Sequence, residues 1–218
     1  DYRSLSVGQF PRVKDKIKRL GNITPDLRIF QNDLMEKVMS FNDVIPSLLL
    51  PMGVPDWIFD LQPDPSLAKG TFCYIGEISR ERGMDKVIDA FIKNMPLDQT
   101  LVLVGQPEVL IYEKYKNREN IIFTGKVPQQ DALKIVLNCE YAVCRFPKHY
   151  PHCYQAPTKY LEYAALGKII LCNDCPSNKK AFEEIESNAI FVEDEIFSEK
   201  LTEKIHNLIP KSFPLPKN

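Results

Sequence analysis

The sequence predicts an α/β fold: a doubly wound parallel sheet preceded by a short helical N-terminal segment. Three observations lead there. From Thr71 onward, short apolar runs rich in β-branched and aromatic residues alternate with longer stretches of helical periodicity, the pattern of βαβ units. The apolar runs carry almost no charge, as befits strands covered on both faces. Glycines follow several of them directly, where a chain leaving a strand must turn.

In chain order the expected strands are Thr71–Ile75, Thr100–Val104, Ile121–Thr124, Tyr141–Arg145, Ile169–Leu171 and Ala189–Val192. The helices between them are Met84–Lys93, which puts Val87, Ile88, Phe91 and Ile92 on one face, and Gln129–Leu137, which does the same with Leu133, Val136 and Leu137. Thr158–Leu166, Asn178–Glu186 and Phe197–Leu208 complete the series, and right-handed crossovers place helices on both faces of the sheet. Before this domain, Val13–Leu20 reads as an amphipathic helix, Leu27–Phe30 as a strand, Asp33–Met39 as a helix and Ser47–Leu50 as a further strand ending in Pro51-Met52-Gly53. Residues 1–46 are too few for a second core and are expected to pack on the main domain, residues 47–209. Residues 210–218 form a proline-bearing tail, a surface strap or frayed end.

Bulk composition excludes several function classes. A hydrophobic content of 44% with 26% charged residues is that of a globular protein. The formal net charge of −1 gives no basic field for nucleic acid, and Lys14-Asp15-Lys16-Ile17-Lys18-Arg19 is a local cluster. The longest uncharged-looking apolar stretch, Val44 to Val54, is too short for a transmembrane span and holds two prolines, although a peripheral place at a membrane is compatible with the chain. Six cysteines are too sparse for a secreted disulfide scaffold. Cys73, Cys144 and Cys172 lie in apolar runs as small buried hydrophobes, which points to a reducing, cytoplasmic setting. The chain opens on Asp1 with no signal peptide, as expected of a piece of a longer protein.

Chemistry is expected at the carboxyl edge of the sheet, where open parallel sheets bind ligands. Gly53, Gly76, Gly105 and Gly125 each follow an expected strand; singly they are turn residues, together a binding rim. There is no G-x-G fingerprint and no G-K-[ST] phosphate loop. The turn Gly76-Glu77-Ile78-Ser79-Arg80-Glu81-Arg82-Gly83 instead offers two guanidinium forks just before a helix N-terminus, or else is a solvated loop. In Tyr154-Gln155-Ala156-Pro157-Thr158-Lys159-Tyr160-Leu161-Glu162, Thr158 is a good N-cap, the amides behind it can receive a phosphate, and Lys159 adds charge. Glu162 then either accepts ribose hydroxyls or pairs with Lys159 at i,i+3. Cys172-Asn173-Asp174-Cys175 has a C-x-x-C spacing, but His149, His152 and Cys153 make a ragged second pair for zinc. The three histidines, His149, His152 and His206, read as surface or loop-packing residues.

These residues resemble the C-terminal domain of GT-B glycosyltransferases of family 4. Leu48-Leu49-Leu50-Pro51-Met52-Gly53-Val54 resembles the family's "IPNGVD" linker, and Tyr74 to Gly83 its "YVGRLSREKG". Leu103-Val104-Gly105 resembles "LVGxG", Ile122 to Val127 "VIFTGFV", and Pro157 to Lys168 "PxKLLEYMAxGKPV". The resemblance implies the Rossmann-like half of a GT-B fold that binds a UDP- or GDP-sugar as substrate, with no cofactor. It implies diphosphate contacts from Gly76, Arg80, Arg82, Thr158 and Lys159, and ribose contacts from Glu162. Gly125, Lys126 and Val127 would lie along the nucleobase, and Tyr154, Gln155 and Ala156, at the end of the loop Phe146–Gln155, at the donor sugar. Two positions depart from the pattern: Glu77 replaces a phosphate-binding arginine, and Tyr154 replaces the first glutamate of E-x7-E.

The activity so implied is retaining transfer to a glycan or lipid-linked acceptor. It is metal-independent, since no D-x-D pair occurs to hold a cation. The acceptor and the catalytic group are expected from an N-terminal lobe of which residues 1–46 would be the remnant, so the chain alone should transfer little or no sugar. The competing readings are a non-catalytic nucleotide-binding or scaffold module on the same fold, and a different GT-B enzyme such as a sugar-phosphate synthase or epimerase.

Overall fold

A computed structural model of the chain describes residues 2, 4–21, 25–192 and 196–206. Their centre is a six-stranded, all-parallel sheet with strand order β5-β4-β3-β6-β7-β8. The strands are β3 (Gly70–Ile75), β4 (Leu101–Val104), β5 (Ile121–Gly125), β6 (Cys139–Cys144), β7 (Ile169–Asn173) and β8 (Asn188–Val192). Each lies within two residues of its expected bounds. The tail 210–218 lies outside the described residues.

Side-chain alternation along each strand divides the core in two. On one face Phe72, Tyr74, Leu101, Leu103, Val143 and Leu171 meet α3 (Met84–Asn94), α4 (Val109–Tyr115) and α8 (Glu199–His206). On the other, Cys73, Val102, Val104, Ala142, Ile170 and Cys172 meet α5 (Gln129–Leu137), α6 (Thr158–Ala165) and α7 (Pro176–Glu184). Both faces are therefore covered, which a parallel sheet requires. Helix α4 had no counterpart in the sequence reading. Its run Val-Leu-Ile-Tyr has strand-like composition, and only Ile111 and Tyr115, one turn apart, are buried.

The N-terminal residues form α1 (Pro11–Gly21), β1 (Arg28–Phe30), α2 (Asp33–Met39) and β2 (Ser47–Leu49). Here one expectation is corrected. Strand β2 does not join the main sheet but pairs in parallel with β1, Arg28 opposite Ser47, so Gly53 is not at the main sheet's edge. The crossover through α2 returns the chain beside β1, where the backbone groups of Ser47–Leu49 find their partners. Leu5, Phe30, Met35 and Met39 make a small core there, closed by Tyr150 and Tyr154 from the loop after β6. No helix among the described residues is long and apolar enough to cross a membrane.

Candidate functional site

Strands β3, β4 and β5 run outward in one direction and β6, β7 and β8 in the other, so the chain order reverses between β3 and β6. Beyond the carboxyl ends of those two strands lies a cleft of about 360 Å³. This is the switch point at which open α/β sheets bind ligands. Its walls come from Tyr74–Glu77 and Arg82 on one side, Val143–Phe146 on the other, and Gln155, Ala156, Thr158 and Lys159 at the start of α6.

Of the sequence-expected residues, Gly76, Arg82, Gln155, Ala156, Thr158 and Lys159 thus meet in one cavity. Glycine is required on this rim for a steric reason. A Cβ on Gly105, at φ +146°, would lie 2.0 Å from the Gly76 carbonyl oxygen, and the Gly105 N–H donates to the Gly125 carbonyl at 3.0 Å. The three strand-end glycines are packed on one another, and only Gly76 faces the cleft.

Arg82 is held from several sides. Its Nε is 3.5 Å from Glu77 Oε2, and its Nη1 donates to His152 Nδ1 at 3.2 Å. That bond requires a bare Nδ1, and burial, Arg82 and His149 together lower the His152 pKa, which keeps the imidazole neutral. Burial raises the Tyr74 hydroxyl to about 12; it donates to the Glu77 carbonyl and stays protonated.

At α6 the structure corrects the cap. Pro157 occupies the N-cap position and Thr158 is the first helical residue, its N–H already bonded to Ala156 O at 3.0 Å. Tyr160 and Leu161 donate to Pro157 O, which leaves the Lys159 N–H as the open amide of the first turn. The ammonium of Lys159 is 2.7 Å from Glu162 Oε2, and Gln129 Nε2 donates to Glu162 Oε1 at 2.9 Å. Glu162 is buried beneath the cleft wall with both oxygens engaged, the i,i+3 ion pair that the spacing allowed.

Other expected residues stand apart from the cleft. The Arg80 N–H donates to Glu108 Oε2 at 2.9 Å, and its side chain leans toward the same carboxylate. Gly125, Lys126 and Val127 lie at the end of edge strand β5; Lys126 is exposed and Val127 packs on the second core. Tyr154 turns toward the N-terminal unit, where Asn32 Nδ2 donates to its carbonyl at 3.4 Å. The six cysteines are buried and unpaired, Cys175 beside Ser177, and no group of three His, Cys, Asp or Glu among the described residues is arranged to hold a metal ion.

Sequence reasoning missed Arg145 and the amide pair Asn173–Asn178. Asn173 Oδ1 accepts from Phe146 N at 2.9 Å, its Nδ2 donates to Phe146 O at 2.7 Å, and Asn178 Nδ2 donates to Cys144 O at 3.2 Å. The signal was present: a lone arginine ending an apolar strand beside the switch point.

Comparison with solved structures gives the fold. The chain is 14% identical to Anabaena HepE in complex with UDP and glucose, with a TM-score of 0.66 over 90% of this chain and 57% of that one. For sucrose-phosphate synthase from Thermosynechococcus elongatus the values are 15%, 0.68, 94% and 57%. For an E. coli trehalose-6-phosphate structure bound with UDP-2-fluoro glucose they are 9%, 0.61, 92% and 57%. The chain thus spans less than two thirds of the length of each of these neighbours. No curated protein sequence matches it. The sheet is the Rossmann-like half of a GT-B fold, and residues 62–217 match the model of the glycosyl transferases group 1 family, to which the chain therefore belongs.

Proposed function

We propose that the chain is the donor-binding half of a retaining, metal-independent glycosyltransferase of the GT-B family 4 type. It binds a UDP- or GDP-sugar and serves transfer to a glycan or lipid-linked acceptor. The observation that carries this reading is the meeting of the Arg82 turn and the first turn of α6 in one cleft at the switch point. Glycosyl transfer expels a nucleoside diphosphate, whose developing charge must be stabilised. A guanidinium on one wall and an open amide at a helix N-terminus on the other suit that charge. Metal independence is supported by the sequence, which has no D-x-D, and by the cleft, where three cationic side chains face the single carboxylate of Glu77. Neighbours of the same fold hold UDP, UDP-glucose or a fluorinated analogue, which supports the ligand class.

The β1-α2-β2 unit is the end of the acceptor lobe in this reading. Its parallel pair shows apolar surface outward at Leu48, Leu49 and Leu50, as does α1 at Val13, Ile17 and Leu20. The catalytic group and acceptor come from across the cleft, so the chain by itself binds donor weakly and turns over little or none. Calorimetric titration with UDP-glucose, GDP-mannose and ATP tests the reading. A nucleotide sugar should bind in preference to ATP; equal or tighter binding of ATP would instead favour a nucleotide-sensing module.

A further inference from the structure

Arg145 is the first residue after β6 and lies across the switch point from Gly76. Its backbone is fixed from both sides: Asn178 holds the carbonyl of Cys144, and Asn173 holds the N–H and the carbonyl of Phe146. The guanidinium lies against Gly83, where a Cβ would come within 2.9 Å of Nη1 and Nη2. From there Nη1 donates to the Arg82 carbonyl.

That bond uses one of five donors. The Nε is buried with no hydrogen-bond partner, and among the described residues no carboxylate pairs with Arg145. The other cations nearby are engaged: Arg82 with Glu77 and His152, Arg80 with Glu108, and Lys159 with Glu162. A partly buried guanidinium with open donors and no counter-charge is unfavourable, and an anion in the cleft would relieve it. Arg82 cannot meet the charge of a diphosphate alone, because Glu77 shares it.

We propose that Arg145 is a diphosphate-binding residue, a preset guanidinium that supplies the anion site with its unshared positive charge. The inference rests on the donor-domain reading above. It assigns to the end of β6 a cation whose guanidinium sits at the start of α3 beside the Arg82 turn, with Arg82 and the Lys159 amide completing the cradle. The bond to the Arg82 carbonyl ties the Arg145 guanidinium to the turn that carries Arg82, so its charge is positioned before the anion arrives.

The test is titration of the full 218-residue chain and its Arg145→Gln and Arg145→Lys variants with UDP, GDP and the corresponding nucleosides. Glutamine keeps an N–H for the Arg82 carbonyl while removing the charge, so the fold survives if that bond is the only structural need. The proposal expects Arg145→Gln to weaken the preferred diphosphate by ~10- to 100-fold, the loss typical of a charge-assisted contact. Nucleoside binding should stay unchanged, the affinity should become less salt-dependent, and Arg145→Lys should recover part of the loss. A diphosphate affinity unchanged in Arg145→Gln overturns this inference alone, and an equal loss for nucleoside and diphosphate makes Arg145 a staple only. A wild-type chain that binds neither diphosphate overturns the donor reading together with it. Should Arg145→Gln not fold, the Lys variant decides: a weakened diphosphate affinity with unchanged nucleoside binding supports the proposal, and full wild-type affinity, or an equal loss for nucleoside and diphosphate, overturns it.

Discussion

The described residues contain two parallel sheets, one of six strands and one of two, which contrast in how they are covered. In the large sheet, β4 is buried along its whole length and the adjoining strands have helices on both faces. In the small one, β2 is exposed at every residue. Hydrogen bonding is of one kind in both, so the contrast isolates what side-chain cover contributes. The large sheet supplies its own cover. The small pair is held at its margins, by Arg28 gripping Asp43 with two short bonds and by the loop after β6, whose Tyr150 hydroxyl donates to the buried Asp15. Side-chain cover is thus densest beneath the cleft, and the N-terminal unit leans on the cleft's own loop.

The contrast can be broken most directly at its covered end. Leu103→Ala, in a strand with no exposure, is expected to cost about 3 kcal/mol in urea unfolding. A loss below about 1 kcal/mol would mean that the sheet is not the stability centre. A smaller effect is expected along the seam that joins the two regions. The lowered pKa of His152 means that, below its ordinary value of 6.5, the unfolded chain takes up a proton which the folded chain refuses. Stability should therefore be intact above about pH 6.5 and fall as the pH drops toward the folded-state value, and His152→Gln should flatten that decline in thermal melts. A stability profile unaltered by the substitution would remove the imidazole from the seam. The smallest change belongs to the uncovered strand: Leu49→Ser should alter stability by no more than about 0.5 kcal/mol, since the side chain is 43% exposed. A cost comparable with that of Leu103→Ala would show that the small sheet is covered in solution.

Local chemistry in the sequence pointed to two residues that the fold brings to the cleft. Arg82 before α3 and Lys159 at the start of α6 both line it, each a cation next to a helix N-terminus, a local feature that a sequence displays wherever the helix lies. The assignment of Arg80 to the same site did not carry into the cleft, since Glu108, 28 residues later, claims its backbone and side chain. No spacing rule foretells that pairing. Likewise Asn173, read inside a C-x-x-C, acts through its amide on Phe146 across the β6–β7 pair.

By itself the sequence determined the alternation of strands and helices, the two apolar faces of the large sheet and the glycines at its carboxyl edge. Each of these follows from periodicity or from backbone sterics within a few residues. Tertiary structure alone decided that β2 belongs with β1, that the strand order reverses between β3 and β6, and that no carboxylate among the described residues pairs with Arg145. Those facts depend on which groups meet across long stretches of chain, and the free energy of a meeting is set by both partners and by the water they exclude. One partner's position in the sequence does not contain it.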